Sequence, residues 1–477
     1  MAIASQKDEQ FRSFALYGPP MKVLLNTCLP LALFQALQSI FKTLDTLMAS
    51  HIGSDEVSAV AALSQITLMI TALGAGIAVG GCIKISEAYG RGDYEAVRAR
   101  VATVYAIAVL VSIAVAGVLI PFAPQFLRLL QTPENLITAG VGYFRIEILT
   151  LMINFFNTVY IAIERSRGHA KKILKLNMVI VLVKLALSAI FVYLLHGGLM
   201  MIAIATLAGQ VLLLCYALVS MSRDDGAFRF SFRNICWKKQ TVGPILNLSY
   251  PVTAEKMLFA AGKVIVNSMS GLYGGLTVGA LGISNNIGGL TTSWQTGLTD
   301  GAAPLISQNR GAGKYKRTLQ IYFCLLALDV AVGAIGLLLV SNALPWLAEI
   351  FARSKNNFDQ EFCDLIVEIH RWEMLGYVTL GINSATIALL LGYGYTKLTM
   401  LLNVTRVFLF RVPVLWAFQQ FTAAGPEAVG MTMMISNVCT GLSAILVAIP
   451  MVLRIRKLAK EEVQNQEGKR YDSITRV

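Results

Sequence analysis

Residues 30–92 of this chain recur 221 positions later: Pro30, Lys42, Gly53, Gly76, Ser86, Gly90 and Gly92 are matched by Pro251, Lys263, Gly274, Gly297, Ser307, Gly311 and Gly313. A second block recurs at an offset of 226, pairing Arg145, Glu147, Gly168, Lys171 and Asn177 with Arg371, Glu373, Gly394, Lys397 and Asn403. The chain must therefore fold as two related halves, with a small insertion between the repeated blocks.

The solvent of those halves follows from composition, since 56% of residues are hydrophobic, 14% are charged and the mean hydropathy is +0.63. Apolar stretches near the ~20 residues that cross a bilayer fall at 23–50, 57–83, 97–120, 136–163, 174–195 and 199–221. The second half repeats the count at 245–272, 276–303, 319–340, 365–391, 398–419 and 428–453. The expected fold is an all-α polytopic membrane protein. Its N-terminal six-helix lobe covers residues 1–221, a linker 222–244, a C-terminal six-helix lobe 245–453 and a charged tail 454–477.

Lysine and arginine set the orientation. Almost all of those outside the spans lie in the tails and in the loops near 84–100, 164–175, 222–244, 309–318 and 392–397. The opposite loops hold only Arg128, Arg353 and Lys355. Both termini are expected in the cytoplasm. An even number of helices per half gives the lobes one orientation, so that a pseudo-twofold axis runs along the membrane normal. The net charge of +13 is then a property of loops facing anionic lipid headgroups, not a sign of nucleic-acid binding. The seven scattered cysteines lack metal spacing and read as small core residues. The four histidines sit at or near helix ends, which suggests an interfacial role.

Several strings carry a resemblance. They are LDTLMASHIGSDEVSAVA in the first helix, ISEAYGRGD closing the second, GLMMIAIATLAGQ opening the sixth, PLISQNRGAGK closing the eighth, and Arg406 followed by Pro413. In this order, on twelve helices and a two-lobed repeat, they resemble the multidrug and toxic compound extrusion (MATE) family. The resemblance implies two six-helix bundles that export organic compounds in exchange for protons or sodium ions. In Gly90-Arg91-Gly92 and Gly311-Ala312-Gly313 the glycines read as helix stops ahead of basic loops, where positive φ is cheap.

Charges inside the spans are costly and tend to face a cavity or a partner. At about 1.5 Å of rise per residue, Lys42, Lys184, Lys263 and Arg411 fall at one depth near the midplane. Lys42 and Lys263 are repeat mates, and Lys184 and Arg411 miss the second register by one residue. Asp45 reads as the one acid near that depth, a turn from Lys42. The resemblance implies an ion or proton site at Asp45, to which the family's fifth helix contributes an asparagine and, four residues on, an aspartate. Here those positions are Lys184 and Ser188. An ammonium in place of an oxygen ligand repels sodium, so a conventional sodium site is doubtful and a proton or sodium gradient stays open as the coupling source. The alternative is a structural salt bridge among Lys42, Asp45 and Lys184. No acid on the seventh helix at that depth offers the same explanation for Lys263. Asp300, near the cytoplasmic end of the eighth helix, reads as a possible gate or a local pair. The Arg145–Glu147 and Arg371–Glu373 motifs read as salt bridges that build each lobe.

The leading expectation is a plasma (inner) membrane antiporter working by alternating access, with no cofactor, a monomer whose partners are the bilayer and a small organic substrate. Basic groups at Lys42, Lys263 and Arg411 favour an anionic or zwitterionic compound. The alternative is a flippase for a lipid with an anionic headgroup. A membrane-embedded enzyme is disfavoured, since the chain shows neither a nucleophile with a base nor a carboxylate cluster suited to a metal.

Overall fold

The computed structural model describes residues 6–49, 54–125, 134–194, 199–224, 226–352 and 359–474, with the side chains of 41–66, 134–140, 192–193, 199 and 465–474 outside the description. A short helix α1 (Gln6–Tyr17) precedes the spans. The first half then runs α2 (Pro20–Ala49), α3 (Ser54–Arg91), α4 (Tyr94–Leu119), α5 (Glu134–Ser166), α6 (Ala170–Ala189) and α7 (Leu199–Ser222). The second half runs α8 (Lys239–Ser270), α9 (Gly275–Gly311), α10 (Tyr315–Ala352), the pair α11 (Gln360–Glu373) and α12 (Tyr377–Tyr393), the pair α13 (Thr396–Thr405) and α14 (Val412–Phe421), and α15 (Glu427–Ile474). With each pair taken as one span, these are the expected twelve, six in each half.

Among the described residues, nine stretches are long and apolar enough to cross a membrane. Helices α6, α8 and α9, which carry Lys184, Lys263 and Asp300, are not among them. The apolar side chains Leu338, Leu339 and Leu446 are exposed on α10 and α15. Lipid is the solvent that suits such surfaces, whereas in water they would form patches prone to association. Among the described residues of the linker, a short tight turn at Phe232–Asn234 precedes the start of α8.

The repeat is realised in backbone geometry. Gly92 and Gly313 have φ of +78° and +72°, and the second pair, Gly168 and Gly394, has +77° and +78°. These are left-handed conformations that glycine adopts without a Cβ penalty. Asp93 then caps α4 by accepting a hydrogen bond from the Ala96 amide at 3.1 Å. Gly90 has a different task from the one expected. It is still helical, and a Cβ there would overlap the carbonyl of Gln308, so close backbone approach is what excludes a side chain.

Two compact units are defined by internal packing. The first holds Met1–Phe11, Ile40–Tyr89 and Asp93–Ala260, and the second Arg12–Ser39, Gly90–Gly92 and Ala261–Val477. The divisions inside α2 and α8 fall at Ile40 and Ala261, which are repeat mates at the offset of 221. A compact unit is thus not identical with a half of the sequence.

The first unit packs Ile85, Tyr89, Val101, Tyr105, Val159 and Ile163 into one core, and Ile70, Phe144, Ile148 and Phe155 into a second. Small residues bring the helices close, as in other membrane bundles: a Cβ on Gly81 would lie 2.7 Å from Val104. At the end bearing the N-terminus, Arg167 clamps Asp8 of α1 through Nε and Nη2, both at 3.1 Å, and also bonds Asp224. Burial works against the Arg167 charge, but Asp8, then Glu164 and Asp224, outweigh it and hold the guanidinium above its ordinary value.

The second unit has its core at Leu281, Ile287, Ile366, Ile369, Tyr377, Leu415 and Val429. There the glycines of α9 admit α2. A Cβ on Gly301 would meet Cys28 Sγ at 2.8 Å, and one on Gly297 would overlap the Ala32 backbone.

Candidate functional site

In the first unit, α6 presents Lys184 half-buried and Ser188 buried one turn later. Ser188 is 1% exposed and its Oγ has no hydrogen-bond partner. Lys184 lies within electrostatic reach of Glu147 on α5, which is itself hydrogen-bonded to Tyr143. The expected bridge between Glu147 and Arg145 is therefore replaced by a link from α5 to α6, with Arg145 exposed. Residues two apart on a helix point about 200° apart, so Arg145 and Glu147 cannot share a face. The side chains of Lys42 and Asp45, on α2, lie outside the described residues.

The glutamine that ends the GLMMIAIATLAGQ string has a packing role. Asn157 of α5 donates to Gln210 Oε1 at 2.8 Å and to its carbonyl at 2.9 Å, tying α5 to α7. Asn157 is fully buried, so this pair fixes the register of two helices that flank α6.

In the second unit Lys263 of α8 is exposed, whereas Arg411 is 4% exposed. The backbone explains the inward turn of Arg411. Residues Arg406–Arg411 form a wide turn with π-type bonding between α13 and α14. Pro413 supplies no amide for the carbonyl four residues earlier, which relaxes the helix here. Arg411 Nε donates to Ser436 at 2.9 Å and Nη2 to Asn437 Oδ1 at 3.2 Å; Arg406 donates to the same oxygen at 2.7 Å. The spacing of Arg406 and Pro413, noted as a motif, thus docks one wide turn onto α15.

Glu373 acts on Arg411 electrostatically from α11. It does not pair with Arg371, which is exposed, for the same angular reason as in the first half. Its partners are Ser284 of α9, which donates to Oε2, and His370, whose Nδ1 lies 3.7 Å away. His370 is fully buried, which corrects the interfacial reading. Its Nδ1 is 2.8 Å from Ser284 Oγ and its Nε2 is 2.8 Å from the Tyr377 hydroxyl. One run of donors satisfies all four groups: Tyr377 O–H to Nε2, Nδ1–H to Ser284, and Ser284 O–H to Glu373.

Asp300 accepts a hydrogen bond from Gln35 of α2 at 2.9 Å. A second acid stands at the midplane depth that was assigned to Asp45 alone. Asp329 lies near the middle of α10, is fully buried, and neither of its carboxylate oxygens has a hydrogen-bond partner among the described residues. Its signal in the sequence is plain, a lone acid within an apolar run. Its repeat-equivalent region, residues 103–108, contains no acid, so a search for duplicated charges passes over it.

Among the described residues, no group of three His, Cys, Asp or Glu side chains is arranged to hold a metal ion.

The chain is similar to the probable multidrug resistance protein YoeA of Bacillus subtilis (strain 168), with 22% identity over 401 residues, 82% of this chain and 86% of that protein. It is also 22% identical to the multidrug export protein MepA of Staphylococcus haemolyticus (strain JCSC1435), over 72% of this chain and 76% of that one. Its fold superposes on an outward-facing multidrug resistance MATE family transporter of the MOP superfamily with a TM-score of 0.89 at 18% identity, covering 95% of this chain and 99% of the other. It superposes equally on a MOP superfamily transporter from Pyrococcus furiosus Vc1, described as having a binding pocket of reverse polarity, with a TM-score of 0.88, 18% identity and coverage of 95% and 99%. The MatE family model matches both halves, residues 30–194 and 251–417, so this chain, a multi-pass membrane transporter and not an enzyme, belongs to the MatE family.

Proposed function

We propose that the protein exports small organic compounds by antiport, with two lobes that alternate in opening a midplane cavity to either side of the plasma (inner) membrane. The match of the family model to both halves carries this reading, and the drug-resistance and drug-export names of YoeA and MepA support it. On the charge bias of the loops, both termini are cytoplasmic. The protein acts as a monomer.

Lys42 and Lys263 supply basic groups to the cavity, which favours an anionic or zwitterionic substrate. Exposure of Lys263 supports its role. Arg411, tied to Ser436 and Asn437, contributes its field from within the bundle. That related folds tolerate a change of polarity is supported by the pocket described for the Pyrococcus protein. Coupling runs through Asp45, Lys184 and Ser188. A proton suits this set better than sodium, because Lys184 brings a positive charge where sodium requires oxygen ligands. Asp300 closes the inner end by pairing with α2.

The test is the sign of a charge effect. Purified protein and Lys263→Gln are titrated at constant ionic strength with carboxyfluorescein as the anionic probe and rhodamine 6G as the cationic one. The substitution is expected to weaken carboxyfluorescein by about three- to tenfold and to tighten rhodamine 6G. Tighter rhodamine 6G binding by the unmodified protein, with both affinities unchanged in Lys263→Gln, would refute the basic cavity and leave a cation exporter as the better account.

A further inference from the structure

The second unit contains two deeply buried acids in opposite circumstances. Glu373 accepts a hydrogen bond from Ser284, lies beside His370 and feels the Arg411 charge at longer range. Its charge is satisfied, and it ties α9 to α11. Asp329 is fully buried in the middle of α10, and neither of its carboxylate oxygens has a partner among the described residues. An isolated ionised carboxylate in such a place is very unfavourable, whereas the neutral acid is tolerable.

The backbone of Asp329 is held by contacts from two helices. The Gln295 amide of α9 reaches the Asp329 carbonyl at 3.4 Å and the Tyr377 carbonyl of α12 at 3.1 Å. From Gln295 a seam of hydroxyls continues along the same two helices. Ser384 donates to the Gln295 carbonyl at 3.0 Å, and its Oγ lies 2.6 Å from Thr299 Oγ1, on the residue next to Asp300. Gly381 leaves the Asp329 backbone in direct contact with α12. On the α2 side, Cys28 is fully buried and lies in the field of both Asp329 and Asp300. The Tyr377 hydroxyl of α12 is turned away, bonded to His370. Among the described residues, titratable side chains near this region are Cys28 of α2 and Asp300 of α9, with Tyr322 two turns away on α10 itself.

We propose that Asp329 is a proton-binding site of the second half, loaded and emptied once in each transport cycle. On loading, a proton from bulk water forms the Asp329 O–H bond. On unloading that bond breaks and the proton returns to water. This deepens the proposed antiport and rests on the reading of the chain as a secondary transporter.

Full-length protein in lipid nanodiscs, without any substrate, would be compared by infrared spectroscopy in acidic and alkaline buffer. The expected result is a carbonyl stretch of a protonated carboxyl that is present in acid, lost in alkali, and missing from Asp329→Asn. If Asp329→Asn does not fold, Asp329→Glu serves instead, and displacement of the band assigns it. In proteoliposomes, proton release on addition of rhodamine 6G or carboxyfluorescein is expected to fall at least tenfold in Asp329→Asn and to persist in Asp329→Glu. A spectrum identical in the two proteins, or an Asp329 band that survives in alkali, overturns the proposal by making the residue a fixed structural acid. Sodium in place of acid producing the spectral change also overturns it. An infrared band that behaves as expected while neither probe releases protons would place the failure in the transport reading and not in the site.

Discussion

Removing both Glu373 and Arg411 should cost less than the sum of the two single losses. Glu373 is 7% exposed and Arg411 4%, so each substitution strands its partner's charge among apolar helices. Losing one partner of a buried ion pair typically costs about 3–5 kcal/mol. An interhelical hydrogen bond within a membrane bundle is worth only about 0.6 kcal/mol on average. Those magnitudes separate two accounts of the same geometry. If the two groups act as an ion pair, Glu373→Gln and Arg411→Met each lose about 3 kcal/mol, and the double variant loses about 2 kcal/mol less than their sum. If Ser284 and Asn437 do the holding and the charges are incidental, the single losses stay near 1 kcal/mol and add. Equilibrium unfolding of the four proteins in mixed micelles gives the cycle directly. Additivity within about 0.5 kcal/mol would refute the ion pair and leave a network of neutral hydrogen bonds.

Gly90→Ala should destabilise by about 1–3 kcal/mol, because the new Cβ would overlap the Gln308 carbonyl, which is backbone and cannot swing away. Thermal unfolding of the purified protein measures this, and an unchanged midpoint would show that the helices separate there without loss. Asp8→Asn should cost about 1–3 kcal/mol by weakening the bidentate grip on Arg167, which Asp224 and Glu164 still neutralise in part. The same substitution should expose α1 to limited proteolysis, and a cleavage pattern matching the unmodified chain would show that α1 is held by other contacts.

The twelve spans were legible because lipid leaves a chain few options. Apolar runs of helical length and an internal offset of 221 identify helices and halves without any knowledge of contacts. The glycines were legible as a repeat but only partly as physics. Gly92 and Gly313 do have positive φ, while Gly90 is required by the passage of another backbone, and that other helix cannot be inferred from the residues on either side of it. The buried network around His370 was hidden for the same reason. Ser284 lies 86 residues from His370, and no local pattern distinguishes a histidine that ends a helix at a surface from one that ends it inside a bundle. Arg411 illustrates how depth alone misleads. Rise per residue places it at the level of Lys263, but the wide turn before Pro413 determines which way it points, and the two residues end up buried and exposed respectively. Asp329 is the reverse case, visible in sequence as a lone acid in an apolar run yet overshadowed by charges that recur. Duplication marks what both halves need in order to fold, so a charge present in only one half is where a division of labour between them should be sought.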